Sequence, residues 1–72
     1  MKKLFLKNNM EFSCELLVNQ QVICLYDYEG NRMANIGKTV TVMLARSLKH
    51  YELFAIAEIA ENFNHYFNNL NQ

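Results

Sequence analysis

Between Met10 and Val18 the chain alternates, with Met10, Phe12, Cys14, Leu16 and Val18 at even positions and Glu11, Ser13 and Glu15 between them until Leu17 interrupts. A two-residue repeat is the side-chain period of a strand with one buried face, so the sequence predicts a strand over 10–18. Asn19, Gln20 and Gln21 supply a short polar turn, and Val22–Tyr28 is rich in the β-branched and aromatic residues that fit a pleated surface. The two segments read as a hairpin. Glu29-Gly30-Asn31 marks a second turn, because Gly and Asn tolerate the left-handed backbone that such turns require, and Arg32–Ile36 returns as the next strand. Residues 3–7 add an edge strand with Lys3 and Lys7 at its ends, charges of the kind that discourage pairing with another chain.

After Gly37 the spacing lengthens. Val40, Met43 or Leu44, Ser47 or Leu48, and Tyr51 recur at helical intervals, which predicts a helix over about 40–49. Thr39-Val40-Thr41-Val42 is β-branched throughout, however, and fits one more strand equally well. From Glu52 onward a single stripe of Leu53, Ile56, Ala60, Phe63, Phe67 and Leu70 alternates steps of three and four, the signature of an amphipathic helix whose stripe faces a core.

The fold class that results is α+β: an N-terminal antiparallel β-meander of three to four strands over roughly residues 2–36, packed by one or two C-terminal α-helices, in one domain spanning 1–72. A second arrangement is open at 10–18, where Asn9 can cap a helix with Phe12 and Leu16 four apart. The order α-β-β-β-α is then similar to that of a double-stranded-RNA-binding domain. That family implies a turn carrying Gly, Pro and His after its first strand and a lysine cluster opening its last helix. The turn here is Glu29-Gly30-Asn31-Arg32, and the basic group nearest the last helix is Arg46, Lys49 and His50, so the resemblance is one of topology alone.

Size changes the picture more than charge does. In a chain of 72 residues, apolar burial at about 25 cal/mol per Å² barely offsets roughly 1.5 kcal/mol of ordering entropy per residue, so association with a partner is an expected source of further burial. Seven basic residues balance seven acidic ones, so no overall field draws the protein to a polyanion or an anionic membrane. The apolar run Leu4-Phe5-Leu6 stops at Lys7, and Leu53–Ala57 stops at Glu58; neither approaches the length of a secretory leader or a membrane span. A cytoplasmic protein without membrane contact is expected. Ten asparagines and no Pro or Trp suggest an A+T-rich coding source such as a phage, a plasmid or a low-GC bacterium.

Motifs for chemistry are sparse. Gly37-Lys38-Thr39 looks like the end of a phosphate-binding loop, but the glycine that would open it falls at Arg32, so a turn with Thr39 as the cap of a following helix is the simpler account. Cys14 and Cys24 lack the spacing of a zinc knuckle and read as buried thiols, and His50 and His65 have no His or Cys one helical turn away. No enzyme, cofactor or metal site is expected.

Two surfaces remain. Lys38, Arg46 and Lys49, with His50, would share one side of a helix over 40–49 and offer phosphate contacts to a nucleic acid. The other surface is the wide apolar circumference of the last helix, where Phe54, Ile59 and Tyr66 lie off the main stripe and would meet a partner. The preferred expectation is a small non-enzymatic protein-protein interaction module, an adaptor or inhibitor, that forms a homodimer through this helix; a nucleic-acid-binding accessory protein is the alternative.

Overall fold

A computed structural model describes all 72 residues. Five strands, β1 (Lys2–Phe5), β2 (Glu11–Leu17), β3 (Val22–Tyr26), β4 (Arg32–Gly37) and β5 (Thr41–Met43), precede two helices, α1 (His50–Glu61) and α2 (Phe63–Leu70). The strands form one antiparallel sheet in the order β1-β2-β3-β4-β5. The α+β meander is therefore as the alternation predicts, with one strand more. Residues 11–17 are extended and paired on both sides, which removes the helix over 10–18 and the α-β-β-β-α order with it.

The turns are held by the short polar residues that the sequence places there. Asn9 and Gln21 take positive φ, and Gly30 sits at φ +89°, where a Cβ would be strained. Asp27 shapes the β3–β4 turn with its carboxylate: Oδ1 accepts the amides of Asn31 at 2.8 Å and Glu29 at 2.9 Å. These contacts, Asn31 foremost, hold its carboxyl below the ordinary carboxylate range.

Register decides which face each side chain serves. Leu4 opposes Phe12, Cys14 opposes Leu25, and Ile23 opposes Ile36, so these side chains share one face, and both helices cover it. The core forms there, with Ala55, Ile56 and Ile59 of α1 and Phe63, Phe67 and Leu70 of α2 closing over the strands. Phe12 extends it into a stack with Tyr28 and Tyr51, ring centroids 5.3 and 6.3 Å away.

The helix expected over 40–49 is absent. Thr41–Met43 is a strand paired with β4, and the chain from Leu44 to Lys49 crosses to the helical layer without regular structure. The β-branched run prevails over the three-to-four spacing because β4 offers an unpaired edge two residues away in sequence. Thr39 accordingly lies in the β4–β5 turn and caps no helix. Lys49 is the residue before α1, and the buried Glu52 carboxylate accepts its amide at 2.8 Å, one half of a capping box.

Nor is the C-terminal stripe one straight helix. Asn62, at φ −120°, ψ 39°, separates α1 from α2, and its side-chain amide and its backbone N–H both donate to the carbonyl of Glu58, at 2.9 and 3.1 Å. Asparagine competes in this way for helical carbonyls and loosens the ladder. The break lets α1 lie against β4 while α2 turns back over β1. Glu58 then ties three segments together: its carboxylate accepts the Tyr66 hydroxyl of α2 and, at 3.0 Å, the Lys7 amide of the β1–β2 loop.

Two outcomes follow from this packing. Phe63→Ala should lose about 3–5 kcal/mol, a large part of the total for so small a domain, read as a fall in the urea midpoint by circular dichroism. The Tyr66 hydroxyl, then the Lys7 amide, hold the Glu58 carboxyl below its ordinary range, whereas burial and the Glu58 bond push the Tyr66 phenol up to about 12. The ionised Glu58 thus stabilises the fold above its unfolded pKa, and that contribution is lost as pH falls through the lower folded value. The neutral Tyr66 stabilises it below pH 10, a contribution lost as pH rises towards 12. Tyr66→Phe should flatten both limbs of a stability-against-pH curve; limbs as steep as those of the wild type would refute the assignment.

Candidate interaction surface

Helix α1 is apolar on two sides. Ala55, Ile56 and Ile59 face the sheet, while His50, Leu53, Phe54 and Ala57, at helical spacing on the outer side, line a shallow cleft of about 340 Å³. Tyr51, Phe54, Ala55 and Glu58 border a small cavity with Leu6, Asn8 and Met10, so that flank looks towards the β1–β2 loop. At about 100° per residue, Leu53, Ala57 and Ala60 fall towards the opposite flank, where Ala60 borders a cleft with Lys38 of the β4–β5 turn.

The backbone of β5 is oriented by its neighbours. Gly37 N–H donates to Val40 O at 2.8 Å and Leu44 N–H donates to Met33 O at 2.9 Å, so Val40 and Leu44 direct their peptide groups at β4. Alternation aims those of Val42 the same way and those of Thr41 and Met43 outward, at the free edge of the sheet. Val42 and Met43 are 49% and 46% exposed and Leu53 is 44% exposed, with Val40 and Leu44 also open. This edge and the α1 flank beside it form an apolar shoulder. The opposite edge differs: β1 begins Lys2-Lys3, and Lys3 Nζ reaches Ser13 at 3.3 Å and Glu11 at 4.0 Å.

Of the three residues read as meeting a partner, the structure leaves only Phe54 open, at 76% exposure; Ile59 and Tyr66 are 0% and 6% exposed and belong to the core. Leu53, assigned to the inner stripe, lies instead on the open flank. The face that docks is Ala55-Ile56-Ile59, turned from the Leu53-Ile56-Ala60 stripe, and beyond the break at Asn62 the sheet-facing positions start afresh with Phe63, Tyr66 and Phe67. Val42, Met43 and Leu44 were missed as surface residues, although the run 40–44 has the β-branched composition and lacks the lysines of a protected edge.

Lys38, Arg46 and Lys49 are all exposed, and Lys38 and Lys49 lie apart. Lys38 borders a cleft with Glu61, Asn62 and His65 near the end of α1, whereas Lys49, at its start, borders one with Asp27, Glu29 and Glu52. The intervening helix is roughly 18 Å long. Lys38 shares its cleft with one carboxylate and Lys49 shares its own with three, and Lys49 Nζ lies 6.0 Å from the centre of the Tyr51 ring.

The remaining chemical groups are held by structure. Cys14 and Cys24 are free and buried on opposite faces of the sheet; burial pushes the Cys14 thiol up to about 11 and raises that of Cys24 as well. On the face away from the helices, Tyr26 donates its hydroxyl to Glu15 at 2.5 Å, and Arg32 Nη2 bonds both Glu15 and Tyr26 at 2.9 Å. Tyr26 first, then Arg32, hold the Glu15 carboxyl low. His65 pairs with Asn69 at 3.3 Å. No group of three or more His, Cys, Asp or Glu side chains is placed to hold a metal ion, and no helix is long and apolar enough to cross a membrane.

No protein-family model, curated protein or solved structure matches the chain.

The burial of both thiols should make them inert towards an aromatic disulfide reagent in the folded protein and reactive together once urea unfolds it. Titration of either thiol in native buffer at the unfolded rate would contradict their placement.

Proposed function

We propose that this protein is a small non-enzymatic protein-protein interaction module, an adaptor or inhibitor, that associates with itself through the apolar shoulder built by α1 and β5. The observation that carries this proposal is the exposure of four large apolar side chains on β5 and α1, with Val42, Met43 and Leu53 half exposed and Phe54 open, in a domain of 72 residues. Apolar patches of this kind on a small soluble fold mark contact surfaces. The balance of seven basic and seven acidic residues removes overall repulsion between copies. A cytoplasmic setting belongs to the same proposal and accords with two unpaired thiols. The dispersal of Lys38 and Lys49 to opposite ends of α1 weighs against the nucleic-acid alternative, because phosphate contacts gain from a contiguous basic stripe.

Leu53→Glu places a charge on the shoulder without touching the core. Light-scattering mass of the wild type should be that of a dimer at tens of micromolar; the variant should keep its thermal unfolding profile and run as a monomer. A monomeric wild type indistinguishable in mass from the variant would contradict self-association through this surface.

A further inference from the structure

The edge of β5 has the geometry of a self-complementary strand. Thr41 and Met43 present their N–H and C=O groups outward with no partner in the chain. Val40, Val42 and Leu44 share the parity that points side chains to the face away from the helices. We propose that a second copy of this chain docks here, the two β5 strands pairing antiparallel about a two-fold axis through Val42, so that one sheet runs through both copies. The proposal rests on the shoulder being a protein-binding surface and names the occupant and the register.

The register follows from the bonding pattern. A two-fold axis through Val42 sets Thr41 opposite Met43 of the second copy and Met43 opposite its Thr41. These are the outward-facing residues, so each pair exchanges both of its backbone hydrogen bonds. On the face away from the helices, Val42 meets Val42 and Val40 meets Leu44, so every cross-strand pair is apolar. No lysine, proline or bulge interrupts residues 39–45, in contrast to the Lys2-Lys3 edge of β1.

The helical layer extends the contact. A standard interface takes about 800 Å² from each partner, more than a three-residue strand supplies. Because α1 packs against β4, the two copies of α1 would lie about three strand spacings, or ~14 Å, apart. Well-packed helices sit about 8–10 Å apart, and the difference is space for Met43 and Leu53 from each copy, the residues that are half exposed here. The nearest charges, Lys38 and Arg46, fall outside the paired segment and oppose each other with like sign. Added salt should therefore tighten the dimer.

Two variants test the pairing. In Val42→Cys the two Cβ atoms meet on the axis as a non-hydrogen-bonded pair, about 4.5–5.5 Å apart, so mild oxidation should close an intermolecular disulfide while buried Cys14 and Cys24 stay silent. Phe54→Cys, at a more exposed position, serves as the control and should cross-link far more slowly. Thr41→Pro removes an N–H that the monomer does not use; it should keep the circular dichroism spectrum and lose the dimer mass. A dimeric wild type whose Val42→Cys variant cross-links no faster than Phe54→Cys would overturn the β5 pairing. Loss of that dimer in Leu53→Glu would then leave the shoulder standing as the contact surface. A wild type that remains a monomer up to millimolar concentration would exclude the second copy altogether.

Discussion

Two short helices in a single layer cover only one face of a five-stranded sheet, and the rest of this structure follows from that constraint. The helices span twelve and eight residues, and the break at Asn62 lets them lie over different strands, α1 against β4 and α2 against β1. Glu58 fixes the break by joining the Lys7 amide to the Tyr66 hydroxyl. The core therefore runs from β1 to β4, and β5 is left at its border with an open outer edge. A straight helix of the same length would follow one direction only and leave β1 uncovered.

The two ends of the sheet are treated differently. At β1, lysines and the docking of α2 make the edge unattractive to another strand. At β5 the exposed side chains are Val40, Val42 and Met43, and the adjoining flank of α1 continues the apolar surface through Leu53. On the face away from the helices, Glu15, Tyr26 and Arg32 satisfy one another. The open border at β5 is one place where so small a domain gains from further burial.

Much of the meander was legible because period-two alternation is strong from Met10 to Val18 and the turns read at Asn19–Gln21 and Glu29–Asn31 hold Gln21 and Gly30 at positive φ, whereas Asn9, also at positive φ, reads equally as a helix cap. The strand at 41–43 was ambiguous for a physical reason. Val40, Leu44 and Leu48 are spaced for a helix while Thr39–Val42 favours a strand, and three residues carry too little pattern to decide. The orientation of α1 was hidden because Tyr51, Leu53–Ala57 and Ile59–Ala60 are apolar around most of its circumference, so periodicity alone does not select the docked face. Hence Ile59 and Tyr66 were read outward and Leu53 inward. The break at Asn62 was masked by the asparagines around it, since Asn64, Asn68 and Asn69 lie within α2 without interrupting it.

The central claim is that the outward peptide groups of β5 are free in the isolated chain and satisfied by association. Amide hydrogen exchange of Thr41 and Met43, followed by NMR from low micromolar to near-millimolar protein, tests it most directly. The account predicts fast exchange at both amides in dilute solution and progressive protection as concentration rises, with the already bonded amide of Leu44 changing little. Exchange of Thr41 and Met43 that is independent of concentration, whether fast or slow, would contradict it.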